Sequence, residues 1–267
     1  MNQYKISDEF SELKEFTLNL PDTFDNIGSV IVKNRNVVKK ADTVQGTVII
    51  KSFKGMYFFN QLAYSILKKS KAERSYINSD ILKEKGFATP PNVGWLDCYT
   101  GGLLRQSYYI SAYSPYKTLK QVLKNNVGDS PFRESVYNHL VTFIIKLHHS
   151  GVLHNDFSLT NILVIPTNDG YQFSLVDLNR IRFQKVSFRD GLRNFHKLEI
   201  PEEEMNKLIR DYAIRENKSP DEAIDMFWKD TRRTLFLRGL RKKLRKYTLT
   251  PLEELKKKLA VRFRTVE

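Results

Sequence analysis

The chain has 267 residues, 41% hydrophobic and 12% aromatic, with 12 glycines and 9 prolines, enough apolar material for a sizeable core in one or two domains. That composition excludes a disordered chain and a collagen-like repeat. Its 44 basic and 30 acidic side chains leave a formal net charge of +14, which asks for an anionic partner: nucleic acid, phosphate or an acidic membrane face. The one cysteine, Cys98, cannot close an intramolecular disulfide and needs no oxidising compartment.

Met1-Asn2-Gln3-Tyr4-Lys5 is soon followed by Asp8, Glu9, Glu12 and Glu15, without the apolar stretch of a signal peptide. The most apolar run, Leu140–Leu147, is interrupted by Thr142 and Lys146 and falls far short of the roughly 20 residues that span a bilayer. A cytosolic protein is expected. Short β-rich runs come first: Gly28–Lys33 and Val37–Lys40 around the turn Asn34-Arg35-Asn36, then Gly46–Lys51 with its β-branched centre. A helix is expected over Ser70–Lys85, closing at Gly86 and barred from continuing by Thr89-Pro90-Pro91. Ser107–Tyr113 reads as another strand. The texture then turns helical. Ser130-Pro131 reads as an N-cap followed by proline at the first helical position, with Val136, Leu140, Ile144 and Leu147 at helical spacing and a stop at Gly151. Ile162–Ile165 and Tyr171–Val176 read as a hairpin across Thr167-Asn168-Asp169-Gly170. Three more helices are expected, opening at Pro201 with Glu202, Glu203 and Glu204, at Ser219-Pro220-Asp221-Glu222, and at Thr250-Pro251-Leu252-Glu253. The outline is α+β: a small β-rich lobe over residues 1–112 and a larger helical lobe over 113–267.

The informative segment is His154-Asn155-Asp156-Phe157-Ser158-Leu159-Thr160-Asn161, followed by Val176-Asp177-Leu178-Asn179. It matches the kinase pattern of H-x-D, four residues, N, and a strand-borne Asp downstream. Phosphoryl transfer needs a carboxylate to orient and deprotonate the acceptor hydroxyl, and oxygen ligands that hold Mg²⁺ against the ATP phosphates. Asp156 suits the first task, Asn161 and Asp177 the second. Each alone reads as a surface polar residue; together, at this spacing, they read as a site. His154 fits a loop-anchoring imidazole better than a proton carrier. Lys51, ending Val48-Ile49-Ile50-Lys51, has the form of the strand lysine that reaches the α- and β-phosphates. The helix that follows should offer it a carboxylate, Glu73 first, with Asp80 two turns further along the same face. The phosphate-covering loop is reduced to Gly28-Ser29 before the Asn34–Asn36 turn.

Lys51-Ser52-Phe53-Lys54, Ser70-Lys71-Ala72-Glu73-Arg74-Ser75-Tyr76, Gly86-Phe87-Ala88-Thr89-Pro90 and Asp177-Leu178-Asn179-Arg180 together resemble the Kdo/WaaP lipopolysaccharide kinase family, over roughly residues 25–200. The resemblance implies a two-lobed protein-kinase-like fold. It also implies an enzyme that uses ATP and Mg to phosphorylate Kdo or heptose of the bacterial lipopolysaccharide inner core at the cytoplasmic membrane face. Asp156 would be the base, Asn161 and Asp177 the metal ligands, and Lys51 the phosphate contact. Asn155 stands where protein kinases carry Arg, Asn179 where they carry Gly, and family members often carry Arg at the place of Glu73. Without that Gly the metal-binding Asp177 should not flip between active and inactive forms. The absence of an A-P-E motif argues against a regulated activation segment and a protein substrate. The alternatives are a protein or small-molecule kinase of the same fold and a catalytically idle kinase-like binding module; the intact Asp156, Asn161 and Asp177 set speaks against the latter.

Arg180 and Arg182 follow the metal Asp and are placed either to meet the carboxylate or phosphate of an acidic sugar or to sit solvated at a strand edge. From Lys229 to Tyr247, Arg232, Arg233, Arg238, Arg241, Lys242, Lys243, Arg245 and Lys246 surround Leu237, Leu240, Leu244 and Tyr247 at helical spacing. Such a helix can lie on an anionic bilayer, or pack its apolar stripe inward with its charges solvated. Nucleic acid ranks below the membrane as a partner, since no RNA-binding motif or aromatic platform accompanies the basic residues.

Overall fold

The structure, a computed structural model, describes residues 2–53, 69–126, 128–237 and 239–240. Contacts divide the chain into two compact units, Met1–Val186 with Lys197–Ile200, and Ser187–His196 with the chain from Pro201 onward.

The first unit carries a six-stranded antiparallel sheet of β1 (Gln3–Ile6), β2 (Ser29–Lys33), β3 (Val37–Thr43), β4 (Gly46–Ser52), β5 (Asn92–Thr100) and β6 (Leu103–Ala112), in the order β1-β5-β6-β4-β3-β2. β4 shows how sequence sets the faces: Val48, Ile50 and Ser52 are buried on one side, and Lys51 points to the other. β5 escaped the sequence reading because it is buried on both faces, which removes the alternation that marks a half-exposed strand. β1 escaped it because it is a short, polar edge strand.

One face of the sheet is closed by the N-terminal segment, a 3₁₀ turn (Asp8–Leu13) followed by α1 (Lys14–Leu18) and α2 (Leu20–Thr23). Phe10, Leu13, Leu20 and Phe24 pack there on Val48, Ile50, Leu96, Tyr108 and Ile110. Lys39 is buried beneath the end of this segment, and its ammonium donates to the carbonyls of Phe24, Asp25 and Ile27 at 2.7, 2.9 and 3.0 Å. The first is a carbonyl that the end of α2 leaves without an intrahelical partner, and the other two belong to the loop that follows it.

The other face is covered by α3 (Lys71–Glu84), where Ala72 and Tyr76 pack on Phe53, Trp95 and Tyr109. Its bounds follow the expected signals. Ser70 accepts a hydrogen bond from the Glu73 N–H at 3.0 Å, and Gly86 leaves the helix at φ +78°.

Further along the unit lie α4 (Leu119–Asn125), held by a Thr118/Gln121 capping box, and α5 (Ser130–His149). The N-cap of α5 is Asp129, not Ser130: its carboxylate accepts from the Phe132 N–H at 3.0 Å, which moves Pro131 to the second helical position. Both residue types cap well, and the carboxylate adds a charge that the positive helix end favours. Val136, Leu140, Ile144 and Leu147 are buried, as their spacing predicts. β7 (Val152–His154) pairs with β10 (Ile181–Phe183), and β8 (Ile162–Thr167) forms the expected hairpin with β9 (Gly170–Leu175).

The second unit contains α6 (Phe188–Asn194), capped by Ser187, α7 (Glu202–Arg215) and α8 (residues 220–237). Phe188 stacks on Tyr212 with ring centres 5.6 Å apart, and Arg189 and Arg193 both bind the buried Asp230. The helix expected at Thr250 and the basic segment beyond residue 240 lie outside the described residues. Among the described residues, no helix is long and apolar enough to cross a membrane.

Candidate active site

The loop between β7 and β8 carries the H-x-D…N pattern. His154 closes β7 and is buried; its Nε2–H donates to the Val176 carbonyl at 3.1 Å, and its Nδ1 accepts from the Asp156 N–H at 3.2 Å. Burial holds its pKa below the usual imidazole range, so both nitrogens of a neutral ring are committed to backbone. His154 is therefore an anchor joining two loops. Asn155 does similar work, donating through Nδ2 to the Arg180 carbonyl at 2.9 Å. Asn161 donates through Nδ2 to the Asp156 carbonyl at 2.9 Å, while its own carbonyl accepts from the Val176 N–H at 3.0 Å. The Asp156 carboxylate, with about a quarter of its side chain exposed, meets Arg180 Nη1 at 3.2 Å and Lys197 Nζ at 3.6 Å.

Asp177 follows β9 in the left-handed conformation, φ 58° and ψ 52°. A side chain disfavours that region by about 1 kcal/mol or more, so the surroundings have to hold it. Three groups do. Lys51 Nζ lies 2.6 Å from Asp177 Oδ1, Asn179 Nδ2 donates to the same oxygen, and Asn78 on α3 donates to the Leu178 carbonyl at 2.7 Å. These tethers act in the same direction as the missing glycine, against a flip of the Asp177 turn.

The structure thus brings together Asp156, Asn161, Asp177 and Lys51, and it arranges the α3 carboxylates differently. Glu73, expected opposite Lys51, bonds Lys69 at 3.0 Å, and Asp80 accepts from Asn92 Nδ2 at 2.8 Å. Lys51 has its carboxylate in Asp177 instead. Arg180 reaches the Asp156 carboxylate, whereas Arg182 is exposed on β10. The sequence reading missed Asn78 and Lys197. Nothing local marks either one, since each acts on a residue far away in the chain. Gly28, at φ +61°, sits so close to the Lys40 carbonyl that an added Cβ would lie 2.2 Å away, so the start of β2 requires glycine.

The oxygen donors Asn161 Oδ1 and Asp177 Oδ2 make no hydrogen bond among the described residues, while Asn161 Nδ2 and Asp177 Oδ1 are committed. Two hard oxygens beside a lysine fit Mg²⁺, which takes a few protein oxygens and completes its shell with phosphate and water. Among the described residues no group of three His, Cys, Asp or Glu side chains is placed to hold a metal, so a cage made wholly of protein ligands is absent there.

With this geometry established, comparison with known proteins places the chain. The model of the lipopolysaccharide kinase (Kdo/WaaP) family matches residues 37–213. No curated protein matches. A solved structure of WaaP in complex with acyl carrier protein is similar in fold, with a TM-score of 0.60 and 14% identity, covering 86% of this chain and 98% of that one. Since the family match spans well over half of the sequence, the chain belongs to the lipopolysaccharide kinase (Kdo/WaaP) family.

Proposed function

We propose that the chain uses ATP and Mg to phosphorylate a sugar hydroxyl, on Kdo or heptose, of the lipopolysaccharide inner core at the cytoplasmic membrane face. The observation that carries this reading is the convergence of Asp156, Asn161, Asp177 and Lys51, four residue types with four complementary tasks. Asp156 would accept the proton of the acceptor hydroxyl as the oxygen attacks the γ-phosphorus and the bond from that phosphorus to the departing ADP oxygen breaks. Arg180 and Lys197 fix the direction of its carboxylate. Lys51 would hold the α- and β-phosphates, oriented by Asp177 in the absence of a helix carboxylate. Held by Asn161 and Asp177, Mg²⁺ would offset charge on the phosphate oxygens during transfer. Glu73, engaged by Lys69, has no part in these steps.

Peripheral membrane contact belongs to the same reading. Leu235, Phe236, Leu237 and Leu240 are exposed within the Arg-rich stretch, which supports an apolar stripe available to a bilayer.

The test is γ-labelled ATP with Mg, added to the protein and a membrane extract containing lipopolysaccharide precursor, beside Asp156→Ala. Label in the glycolipid fraction of the wild-type reaction alone is the expected result. Label confined to protein would replace the sugar acceptor with a protein one, and transfer by Asp156→Ala at the wild-type rate would overturn the mechanism.

A further inference from the structure

We propose that Lys71, with Arg35, Arg74 and Arg180, forms a second anion site that receives a phosphate or carboxylate carried by the acceptor itself. The proposal rests on the kinase reading above and names a feature of the substrate that reading leaves open.

The site begins at Phe53, which is buried at 2% exposure with two lysine ammoniums near its ring: Lys51 Nζ at 5.3 Å and Lys71 Nζ at 5.8 Å from the ring centre. Lys51 is neutralised by Asp177 at 2.6 Å. Lys71 has no such partner: among the described residues, neither it nor Arg35 forms an ion pair with a carboxylate. Register and packing bring three cation-bearing elements to this spot: Val37, which follows the Arg35 turn, pairs with Ser52 next to Phe53; Lys71 and Arg74 stand in the first turn of α3; and Asn78 of α3 bonds the Leu178 carbonyl in the turn that carries Arg180.

The placement of Lys71 costs free energy in the absence of an anion. A helix N-terminus disfavours positive charge, yet α3 carries Lys71 as its first residue and Arg74 one turn in. Half-burial and then the like charges of Arg35, Arg180, Arg74 and Lys51 pull the Lys71 ammonium below its ordinary pKa. A lysine whose only task was solvation would turn its flexible stem away. An oxyanion among these groups removes the repulsion and takes charge-assisted hydrogen bonds from Lys71 and the guanidinium groups.

The position favours the acceptor over the nucleotide. Lys51 and the oxygens of Asn161 and Asp177 already suit the nucleotide phosphates. Arg180, on the turn that Asn78 ties to α3, also holds the Asp156 carboxylate at 3.2 Å, where the acceptor hydroxyl must come. A kinase that brings an anionic sugar up to ATP faces repulsion between two anions, and cations set beside the base offset it.

The test uses the full chain and two probes: Mg with a non-hydrolysable ATP analogue that fills the γ-phosphate position, and inorganic phosphate. Phosphate binding is followed by ³¹P line broadening, and nucleotide binding by calorimetry, for wild type, Lys71→Gln, Arg35→Gln and Lys51→Gln. The expected result is that phosphate still binds when the nucleotide analogue is saturating. Lys71→Gln should then weaken phosphate about tenfold, the loss of one charge-assisted hydrogen bond, and nucleotide by less than about twofold. Loss of phosphate binding on adding the analogue, or equal weakening of both probes by Lys71→Gln, would assign the cluster to the nucleotide and overturn the proposal. If the analogue does not bind at all, the kinase reading fails. Phosphate bound by wild type but not by Lys71→Gln would even then uphold an anion site, and phosphate bound equally by both would overturn it.

Discussion

The two faces of the six-stranded sheet are built from alternate residues of the same strands, and they are built to different rules. The face under the N-terminal segment is filled by Phe10, Leu13, Leu20, Phe24, Val48, Ile50, Leu96 and Ile110, all nearly inaccessible. The Lys39 ammonium buried there is satisfied by three carbonyls. The face under α3 mixes Phe53, Trp95 and Tyr76 with Lys51, Asn92, Asp97 and Tyr109. There Tyr109 donates to Asn92 at 2.8 Å, Asn92 donates to Asp80, and Asn78 crosses from the helix to the Asp177 turn. Burying polar groups brings no net stability over apolar packing, so the polar face is explained by what it positions. Since strand side chains alternate, one sheet can devote one face to cohesion and the other to chemistry.

That division is open to attack from both sides. The largest effect belongs to Asp177→Ala, which should lower phosphoryl transfer by about 10³-fold or more while the protein stays folded. A single-turnover assay beside a thermal melt reads both; a rate within tenfold of wild type would remove Asp177 from the chemistry. Phe24→Ala attacks the opposite face. It empties a fully buried aromatic position and should cost about 3–5 kcal/mol of stability, with kcat/KM per folded molecule unchanged within about twofold. Urea unfolding and kinetics on the folded fraction check it. A large loss of kcat/KM in the folded fraction would mean the two faces are not separate.

The polar site was more legible in sequence than the apolar cover, because its chemistry lies in a compact pattern. Asp156 and Asn161 share one loop, and Asp177 follows one hairpin later, so spacing alone brought them together. The ends of α3 were legible too, since Ser70 and Gly86 are local signals whose physics acts within a few residues. The N-terminal cover was not. Phe10, Leu13, Leu20 and Phe24 sit on short helical turns of too few residues to set up a period, and only the sheet surface unites them. The partner of Lys51 was hidden for a related reason. Helical spacing pointed to Glu73 or Asp80, but a lysine reaches whichever carboxylate lies nearest in space, and the left-handed turn puts Asp177 there.

Asn78 joins the two levels, holding the Asp177 turn from the helix that covers the polar face. Asn78→Ala leaves the Leu178 carbonyl buried without its donor, which costs about 1–3 kcal/mol. If the bond positions Asp177, kcat should fall about tenfold or more while KM for the acceptor holds steady. Equal kcat for variant and wild type, at a temperature where both are folded, would reduce Asn78 to a packing residue.

The smallest effect sharpens the comparison most, since it asks what the polar face costs. Asp97 on β5 is 1% exposed, and neither carboxylate oxygen makes a hydrogen bond of proper geometry, although the Ser107 and Ser70 hydroxyls are its polar neighbours. Burial pushes its carboxyl up from 3.8 to about 6, with the charge of Glu73 adding to the rise. Between those values the folded chain keeps a proton that the unfolded chain has lost, so stability falls as pH rises through the window, by at most about 3 kcal/mol at neutral pH. His148 works in the opposite sense. Burial lowers its pKa from 6.5 to about 4, so the unfolded chain takes up a proton first as pH falls, and stability drops with acidification. Asp97→Asn deletes the first slope and keeps the second. The amide must itself be buried with imperfect partners, which offsets most of the gain, and the variant should be about 1 kcal/mol more stable at pH 7. That advantage should vanish near about pH 5 and reverse by about pH 4, making the acid-side loss of stability steeper than in the wild type. Urea midpoints from pH 4 to 7.5 decide it: parallel curves for the two proteins would mean Asp97 is ionised in the fold and already satisfied.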